Sequence, residues 1–525
     1  MEATFWSLVP AIVAIVLALI TKEVYISLLT GILGGALFYT GFKLIPAIET
    51  TVTVMSEKVG GNINIIIFLV LLGMLVYLVQ KSGASAAYGA WAAERIKSRR
   101  GALGLTSLLG VLIFVDDYFN CLTVGTVMSP VTDKHKVSRA KLAYIIDSTA
   151  APVCIISPIS SWAAAVSSSL PENTDLDGFS LFLSTIPFNI YALVTLLMVF
   201  LIIGLNFDFS RMKRYEINHW KAIHDRAAGK MIDDDNHVEQ EDSFKIEGKG
   251  KIIDLVFPIV SLIVLCILAM LYTGGITEGN NIIDAFANCD SSFSLVLGSV
   301  FTLILTGIFY VTRRIVKFTE FTSALAEGFK AMVPAILILT FAWTLSGISG
   351  EGYLESGIYV STAIKNSAMS IGFIPVIFFL IALGLSFATG TSWGTFGILI
   401  PIVIPVMQGH SYHLLSISVA ACLAGAVCGD HISPISDTTI LSSAGARCNH
   451  IEHVSTQIPY AMTVAIPSAF GYLVAGLTEN GWLGLIIGAI GMAAIVFYNY
   501  QKQRRQGLLD NEEVARIASK SDSKS

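Results

Sequence analysis

Charged side chains are scarce in this 525-residue sequence: Asp, Glu, Lys and Arg make up 14% of it, against about 25% in soluble domains. This scarcity excludes a soluble multidomain enzyme. Hydrophobic residues supply 54% of the chain, and apolar runs of about 20 residues, long enough to cross a bilayer as helices, recur from end to end. The runs are continuous and do not alternate, which excludes a transmembrane β-barrel. The sequence therefore predicts an all-α polytopic membrane protein embedded in a lipid bilayer.

Cysteine and basic residues are also too sparse or too scattered to support several other functions. The seven cysteines are widely spaced and mostly lie in apolar runs, which argues against a disulfide framework and against a zinc site. The net charge is −5 and no basic patch indicates a nucleic-acid partner. The sequence has no HExxH motif and no Ser-His pair at a suggestive spacing, so it does not indicate an intramembrane enzyme. We expect neither an enzyme nor a cofactor.

Two apolar stretches are too long for one crossing, and polar residues interrupt each of them. Residues 101–131 are interrupted at 116–120, and residues 371–408 at 389–392. We interpret both as re-entrant hairpins, which enter and leave the membrane on the same side. With this interpretation, 30 of the 33 Lys and Arg residues fall on one side, which the positive-inside rule makes cytoplasmic. The N-terminus is then outside and the C-terminus is in the cytoplasm, in the cell (plasma) membrane.

The two halves of the chain resemble each other. Residues 156–160 read Ile-Ser-Pro-Ile-Ser, and residues 432–436 repeat these letters behind the second hairpin. Pro158 and Pro434 are each expected to break a helix at mid-depth, because proline lacks the amide donor. Each half then has five transmembrane helices and one hairpin, and the odd number of crossings makes the repeat inverted. The predicted domains are a first membrane repeat (1–205), a charged cytoplasmic linker (206–251), a second, inverted membrane repeat (252–477), an extra C-terminal helix (478–500) and a cytoplasmic tail (501–525).

Five acidic residues lie inside the predicted membrane segments: Asp116, Asp117, Asp147, Asp430 and Asp437. No Lys or Arg lies deep enough in the sequence to pair with them. Buried carboxylates are costly, so within a membrane they usually mark an ion or proton path. Because one carboxylate can hold either a proton or a sodium ion, competition between the two suffices to couple opposing fluxes.

Side chains and backbone groups with oxygen ligands gather around the helix breaks, as a small hard cation such as sodium requires. The predicted cation- and proton-binding residues, a subset of which would hold sodium, are Asp117, Asn120, Asp147, Ser157, Ser160, Asp430, Ser433, Ser436, Asp437 and Thr438. The second hairpin tip is predicted to contact an ion or a substrate carboxylate through Thr389, Gly390, Thr391 and Ser392. Other readings stay open: hydroxyl groups also join helices, the tip could be only a tight turn, and His431 could be a proton carrier or a core imidazole.

Three segments give the sequence a specific likeness. Residues 115–120 (VDDYFN), 147–153 (DSTAAPV) and 429–439 (GDHISPISDTT) resemble motifs of the NhaC-type sodium/proton antiporter family, which belongs to the ion-transporter superfamily. The resemblance covers both halves. It implies a homodimer and an elevator-like movement of a transport domain against a scaffold.

The family resemblance leaves two functions open. The first is a secondary antiporter that exchanges sodium ions for protons. The alternative is a sodium- or proton-coupled transporter or exchanger of a small organic solute of the carboxylate or amino-acid type, since the family also includes carriers of malate, lactate and amino-acid-type compounds.

Cysteine labelling tests the predicted orientation. Single cysteines near Asp175, Asn280 and His410 should react with a membrane-impermeant maleimide in intact cells, whereas cysteines within 206–251 should react only after permeabilisation. Labelling of Arg226→Cys in intact cells would show that the orientation is wrong.

Overall fold

The computed structural model describes residues 3–516, apart from 22, 172–175, 228–249, 282–284, 286–288, 351, 357, 360–361, 363–369, 435, 510 and 512. Within these residues every regular element is helical, which confirms the predicted all-α class. The α-helices used below are α1 (Val9–Thr21), α2 (Val24–Tyr39), α3 (Leu44–Gly61), α4 (Ile63–Ser82), α5 (Ala84–Arg95), α6 (Arg99–Leu112), α7 (Asp117–Lys134), α8 (Arg139–Thr149), α9 (Ala151–Cys154), α10 (Ser161–Ser167), α11 (Gly178–Thr185), α12 (Ile190–Leu205), α13 (Ser210–Ala227), α14 (Ile252–Thr273), α15 (Ser291–Thr312), α16 (Phe318–Ser349), α17 (Ile374–Thr389), α18 (Ser392–Met407), α19 (Tyr412–Ile432), α20 (Asp437–Ala446), α21 (His450–Thr478) and α22 (Gly481–Arg505).

The helices are long and apolar enough for a multi-pass membrane protein. Among the described residues seven spans qualify by length and composition, or up to nine if each of two bent helix pairs counts as one span. The seven are α4, α12 continued through α13, α14, α15, α19, α21 and α22. This confirms the predicted polytopic membrane class.

Each of the two stretches predicted to be a hairpin consists of two helices joined by a short break. The pair α6 and α7 is called the first hairpin below, and the pair α17 and α18 the second hairpin. Residues 113–116 separate α6 from α7, and Gly390 with Thr391 separates α17 from α18. Gly390 has φ +69°, a left-handed conformation that glycine adopts without steric cost. Thr391 then caps α18, since its side chain accepts from the Gly394 amide.

The two Ile-Ser-Pro-Ile-Ser segments lie at two further helix breaks, as predicted. Pro158 lies between α9 and α10, and Pro434 lies between α19 and α20. The last serine of each segment caps the next helix: Ser160 accepts from the Ala163 amide, and Ser436 accepts from the Thr439 amide. Each segment therefore ends in a serine that caps the helix after a break.

Helices α3 and α13 are among those that were not predicted from the sequence. The first is α3, whose partner in a bent pair, Tyr25–Tyr39, lies at 119° to it. One face of α3 is buried in the protein, a second is exposed and apolar, and a third is exposed and polar. Its sequence therefore mixes polar and apolar residues without a long apolar run, as the sequence of a loop does. The second is α13, which occupies the start of the predicted linker and packs against α8 and α21. The linker residues 228–249 lie outside the described part of the chain.

Glycines let the hairpins approach the broken helices closely. A Cβ added at Gly429 of α19 would lie 2.2 Å from the Leu383 carbonyl oxygen of α17, and one at Gly125 of α7 would lie 2.6 Å from the Cα of Gly445 in α20. Such backbone contact between small residues is a common way to join helices in membranes. It holds α17 against α19 and α7 against α20.

The first hairpin is fixed by one amide side chain. Asn120 Nδ2 donates to the carbonyls of Gly110 at 2.7 Å, Ile113 at 2.9 Å and Thr149 at 3.1 Å. These carbonyls belong to the end of α6, the break after it and the end of α8. Asn120 therefore satisfies backbone acceptors that a break would otherwise leave without donors in an apolar interior.

Gly429→Ala should destabilise the protein because its new methyl group meets the backbone of α17. Overpacking of this kind costs about 1–3 kcal/mol. Gly384→Ala is the matched control: an added Cβ there meets nothing within 4 Å, and alanine favours the helix. Thermal unfolding of both variants in detergent measures the difference. Equal midpoints for Gly429→Ala and wild type would contradict the close approach.

Asn120→Ala should destabilise the protein in sodium-containing and sodium-free buffer alike, because it leaves buried carbonyls without their donor. The cost should be on the order of 1–3 kcal/mol. In the control, Thr123→Val, the replaced Oγ1 is buried and has no hydrogen-bond partner, so its loss should cost little. A loss of stability that appears only in sodium would instead indicate an ion ligand.

Candidate ion-binding site

Three predicted carboxylates lie close together where α7 packs against α20, beside the break between α19 and α20. Asp117 begins α7, Asp430 lies in the last turn of α19, and Asp437 begins α20. Asp117 and Asp430 are fully buried. The Tyr118 hydroxyl donates to Asp437 Oδ2 at 2.5 Å, and the Thr438 hydroxyl donates to Asp430 Oδ2 at 2.7 Å. The cluster thus joins side chains from both halves of the sequence.

Each carboxylate has a few donors and retains acceptor capacity. Asp117 accepts from the indole Nε1 of Trp162 at 3.1 Å and from the Tyr118 amide at 3.2 Å. Asp437 Oδ1 accepts from the Thr438 amide at 2.8 Å. Asp430 Oδ1 is buried without a hydrogen-bond partner. An ionised carboxylate offers about four acceptor positions, so these groups can accept a cation or protons in addition.

The second hairpin tip reaches the same cluster through its backbone. The Asp437 amide donates to the Gly390 carbonyl at 3.2 Å. The Ser392 hydroxyl donates to the Ala426 carbonyl at 3.3 Å, and the Ser436 hydroxyl lies 3.2 Å from that of Thr438. Residues 390–394 also match the Gly-x-Ser-x-Gly pattern of hydrolases, but here Gly390 and Thr391 form the break and Ser392 begins α18. The side chain of Thr389 lies outside what the structure describes.

Asp147 forms a neighbouring polar cluster on α8. It accepts from the Thr439 hydroxyl at 3.0 Å, the Ser442 hydroxyl at 3.3 Å and Gln457 Nε2 at 2.5 Å. His453 Nε2 lies 3.5 Å from Asp147 Oδ2. Since Thr439 follows Thr438 on α20, the first turns of α20 link the two clusters.

His431 is buried in the core and connects to this second cluster. Its Nδ1 is 3.1 Å from the Tyr191 hydroxyl, and its carbonyl accepts from Gln457 Nε2 at 2.8 Å. Its Nε2 is buried and has no hydrogen-bond partner. One nitrogen of the imidazole is thus hydrogen-bonded and the other is not.

Other predicted ligands have hydroxyl or amide groups committed to the backbone. Ser157 donates to the Val153 carbonyl at 2.7 Å, and Ser160 donates to the Cys154 carbonyl at 2.8 Å. Asn120 Nδ2 is committed to the first hairpin, as described above. These residues form the break in the first half, whereas Asp430, Ser433, Ser436 and Asp437 flank or form the break in the second half.

The carboxylates have no Lys or Arg partner among the residues that the structure describes. In the part of the chain that the structure describes, neither Lys nor Arg forms an ion pair with Asp117, Asp147, Asp430 or Asp437. The same residues contain no group of three His, Cys, Asp or Glu side chains placed to hold a metal ion. A cation here would need hydroxyl and backbone oxygens in addition to carboxylates.

Sequence reasoning missed several contacts of the site. Trp162 is not among the predicted site residues, yet its indole N–H donates to Asp117. His453 and Gln457, in the first turns of α21, are also not among the predicted site residues. Their spacing of four, continued by Tyr460, was the available signal, because it places polar groups on one helix face.

Comparisons with known proteins agree with this architecture. The model of the Na+/H+ antiporter family matches residues 171–477. An uncharacterized protein of Haemophilus influenzae is 39% identical over 516 residues, which cover 94% of this chain and 95% of its own. The malate-2H(+)/Na(+)-lactate antiporter of Bacillus subtilis is 30% identical over 171 residues, 31% of this chain and 34% of its own.

A solved structure supports the fold. The YdaH transporter of Alcanivorax borkumensis, whose crystal structure is described as having an unusual topology, superposes with a TM-score of 0.52 over 85% of this chain and 89% of its own. Its sequence identity is 13%, so this likeness concerns the fold alone. Because the family model matches more than half of the sequence, the chain belongs to the Na+/H+ antiporter family, and it is a secondary membrane transporter rather than an enzyme.

Proposed function

We propose that this protein exchanges sodium ions for protons, and that Asp117, Asp430 and Asp437 carry the coupling. The observation that supports this most strongly is the cluster of carboxylates from both halves, linked through Tyr118 and Thr438, without a Lys or Arg ion pair among the described residues. Charges in a low-dielectric interior require compensation. A sodium ion or protons can each supply it, but both compete for the same oxygens.

The inverted repeat with two re-entrant hairpins is part of this proposal. In the first half the Ser161 amide donates to the Val115 carbonyl at 2.9 Å, and in the second the Asp437 amide donates to the Gly390 carbonyl at 3.2 Å. In both cases the donor directly follows the capping serine of the repeated segment, and the acceptor lies in the hairpin break. This correspondence supports equivalent units in the two halves.

Reciprocal packing further supports the repeat. The second helix of the first hairpin, α7, packs against α20, which follows the break in the second half. The second helix of the other hairpin, α18, contacts α10, which follows the break in the first half, and the rings of Trp162 and Trp393 are 6.0 Å apart. A pseudo-twofold relation between the halves would produce this pattern.

The first hairpin has its two ends close together. Arg99 at the start of α6 and His135 just after α7 line the same cavity. This supports entry and exit on one side. The proposal also includes the five domains 1–205, 206–251, 252–477, 478–500 and 501–525. In it the protein lies in the plasma membrane with its C-terminus in the cytoplasm, forms a homodimer and transports ions by an elevator-like cycle.

Exchange of a small organic solute is the second candidate function. The Bacillus subtilis relative is named for malate, lactate, protons and sodium, and it is similar to 31% of this chain. In this proposal the same carboxylates bind the coupling ion, and the tip formed by Gly390, Thr391 and Ser392 lies against the solute. The two candidates differ in whether flux requires an added solute.

Asp437→Asn and Asp430→Asn should each abolish sodium-driven proton flux, because an amide neither takes up nor releases the coupling proton. Both variants should still fold, since a neutral amide costs less to bury than a charge. Flux is measured in liposomes across a range of pH and normalised to folded protein. Asp290→Asn is the matched control, because this exposed acid caps α15 and asparagine caps equally well. Coupled transport at wild-type levels in both site variants would contradict the assignment.

Two further measurements separate the candidates. Sodium should raise the thermal stability of the wild type in detergent, since a ligand that binds only the folded state stabilises it, and Asp437→Asn should lose this effect. Flux with and without malate, lactate or amino acids then identifies the cargo. Sodium/proton exchange without any solute supports the antiporter, whereas flux that requires a solute supports the second candidate.

A further inference from the structure

A second polar site lies away from the carboxylates. It is formed by the start of α6, the end of α12 and one face of α13. It is a cavity of about 480 Å³, within the range of about 300–1,000 Å³ that is typical of ligand pockets. Arg99, Arg100, His135, Trp220 and Asn511 line it. None of these residues belongs to the ion-binding cluster.

The wall of this cavity contains donors without acceptors. Trp220 is 7% exposed, and its indole Nε1, which can only donate, is buried without a hydrogen-bond partner. Arg99 Nε and His135 Nε2 are likewise buried and lack a partner. Buried polar groups are normally satisfied. The N–H groups of Trp220 and Arg99 are donors, and His135 Nε2 donates when it carries a proton, so the three groups indicate a ligand that accepts hydrogen bonds.

The charge around the cavity is positive. Arg99 forms an ion pair with Glu216, which also accepts from the Ser138 hydroxyl at 2.5 Å. Arg100 is exposed and, in the region that the structure describes, forms no ion pair. The Lys136 Nζ lies 5.1 Å from the centre of the Trp220 ring. Glu216 therefore compensates one cation while two others remain beside the cavity.

We propose that this cavity binds a phosphate-bearing anion, supplied either by the headgroup of an acidic phospholipid or by free phosphate. Guanidinium groups recognise phosphate through paired, charge-assisted hydrogen bonds. Basic pockets between the ends of transmembrane helices suit acidic headgroups. A bound anion would connect Arg99 and Arg100 at the start of the first hairpin with His135 at its end, and both with α13 and the C-terminal segment around Asn511.

The test uses the full-length protein in detergent and measures thermal stability as a function of added ligand. One arm adds dioleoylphosphatidylglycerol in mixed micelles, with dioleoylphosphatidylcholine for comparison, and the other adds inorganic phosphate at constant ionic strength. Arg100→Gln should weaken binding about tenfold to a hundredfold, as expected for one lost charge-assisted hydrogen bond. Lys97→Gln is the matched control. It removes the same charge from a nearby exposed side chain, and Lys97 does not line the cavity.

The outcomes are distinct. Stabilisation by phosphatidylglycerol alone identifies the lipid headgroup, and stabilisation by inorganic phosphate identifies a soluble anion; in both cases Arg100→Gln must weaken the effect and Lys97→Gln must not. His135→Gln serves as a second variant if Arg100→Gln fails to fold. The proposal is overturned if neither ligand stabilises the wild type, or if Arg100→Gln and Lys97→Gln respond alike.

Discussion

The constraint around which this structure is arranged is a cluster of carboxylates that no described Lys or Arg neutralises. Asp430 and Asp437 flank a helix break, and Asp117 stands at the start of the hairpin helix that crosses it. Hydroxyl and indole donors from Thr438, Tyr118 and Trp162 contact these carboxylates. The donors are neutral, so they orient the carboxylate oxygens without balancing a negative charge on them.

The broken backbone is satisfied by interactions that also position the site. Serine caps begin α10 and α20, and amides next to those caps donate to the hairpin breaks. Asn120 supplies donors to the carbonyls around the first break. Irregular backbone is tolerated in a membrane interior only with such partners or beside a cavity, so the fold and the position of the carboxylates depend on the same hydrogen bonds.

The features that the sequence predicted correctly are those with a local physical cost. Acidic residues in apolar runs and prolines in helices are unfavourable wherever they occur. The sequence alone therefore identified the helix breaks at Pro158 and Pro434 and the carboxylates of Asp117, Asp430 and Asp437 inside apolar segments; the ion-binding role of these carboxylates stays a prediction. Contacts made through tertiary packing could not. Gln457 donates to Asp147 from 310 residues away in the sequence. Helix α3 has a buried face, an exposed apolar face and an exposed polar face, so its sequence lacks a single clear amphipathic pattern.

The charged residues elsewhere in the protein provide a comparison for the cluster of Asp117, Asp430 and Asp437. Lys141 and Asp208 are both 1% exposed and form an ion pair at 2.7 Å, to which the Tyr460 hydroxyl adds a donor at 2.8 Å. Asp254 is likewise buried and pairs with Arg313. This chain can therefore supply basic partners to buried acids, yet it supplies none to Asp117, Asp430 and Asp437 within the described residues. A fixed cation there would occupy the oxygens that a transported ion needs, so the missing partner is itself an argument for ion exchange at this cluster.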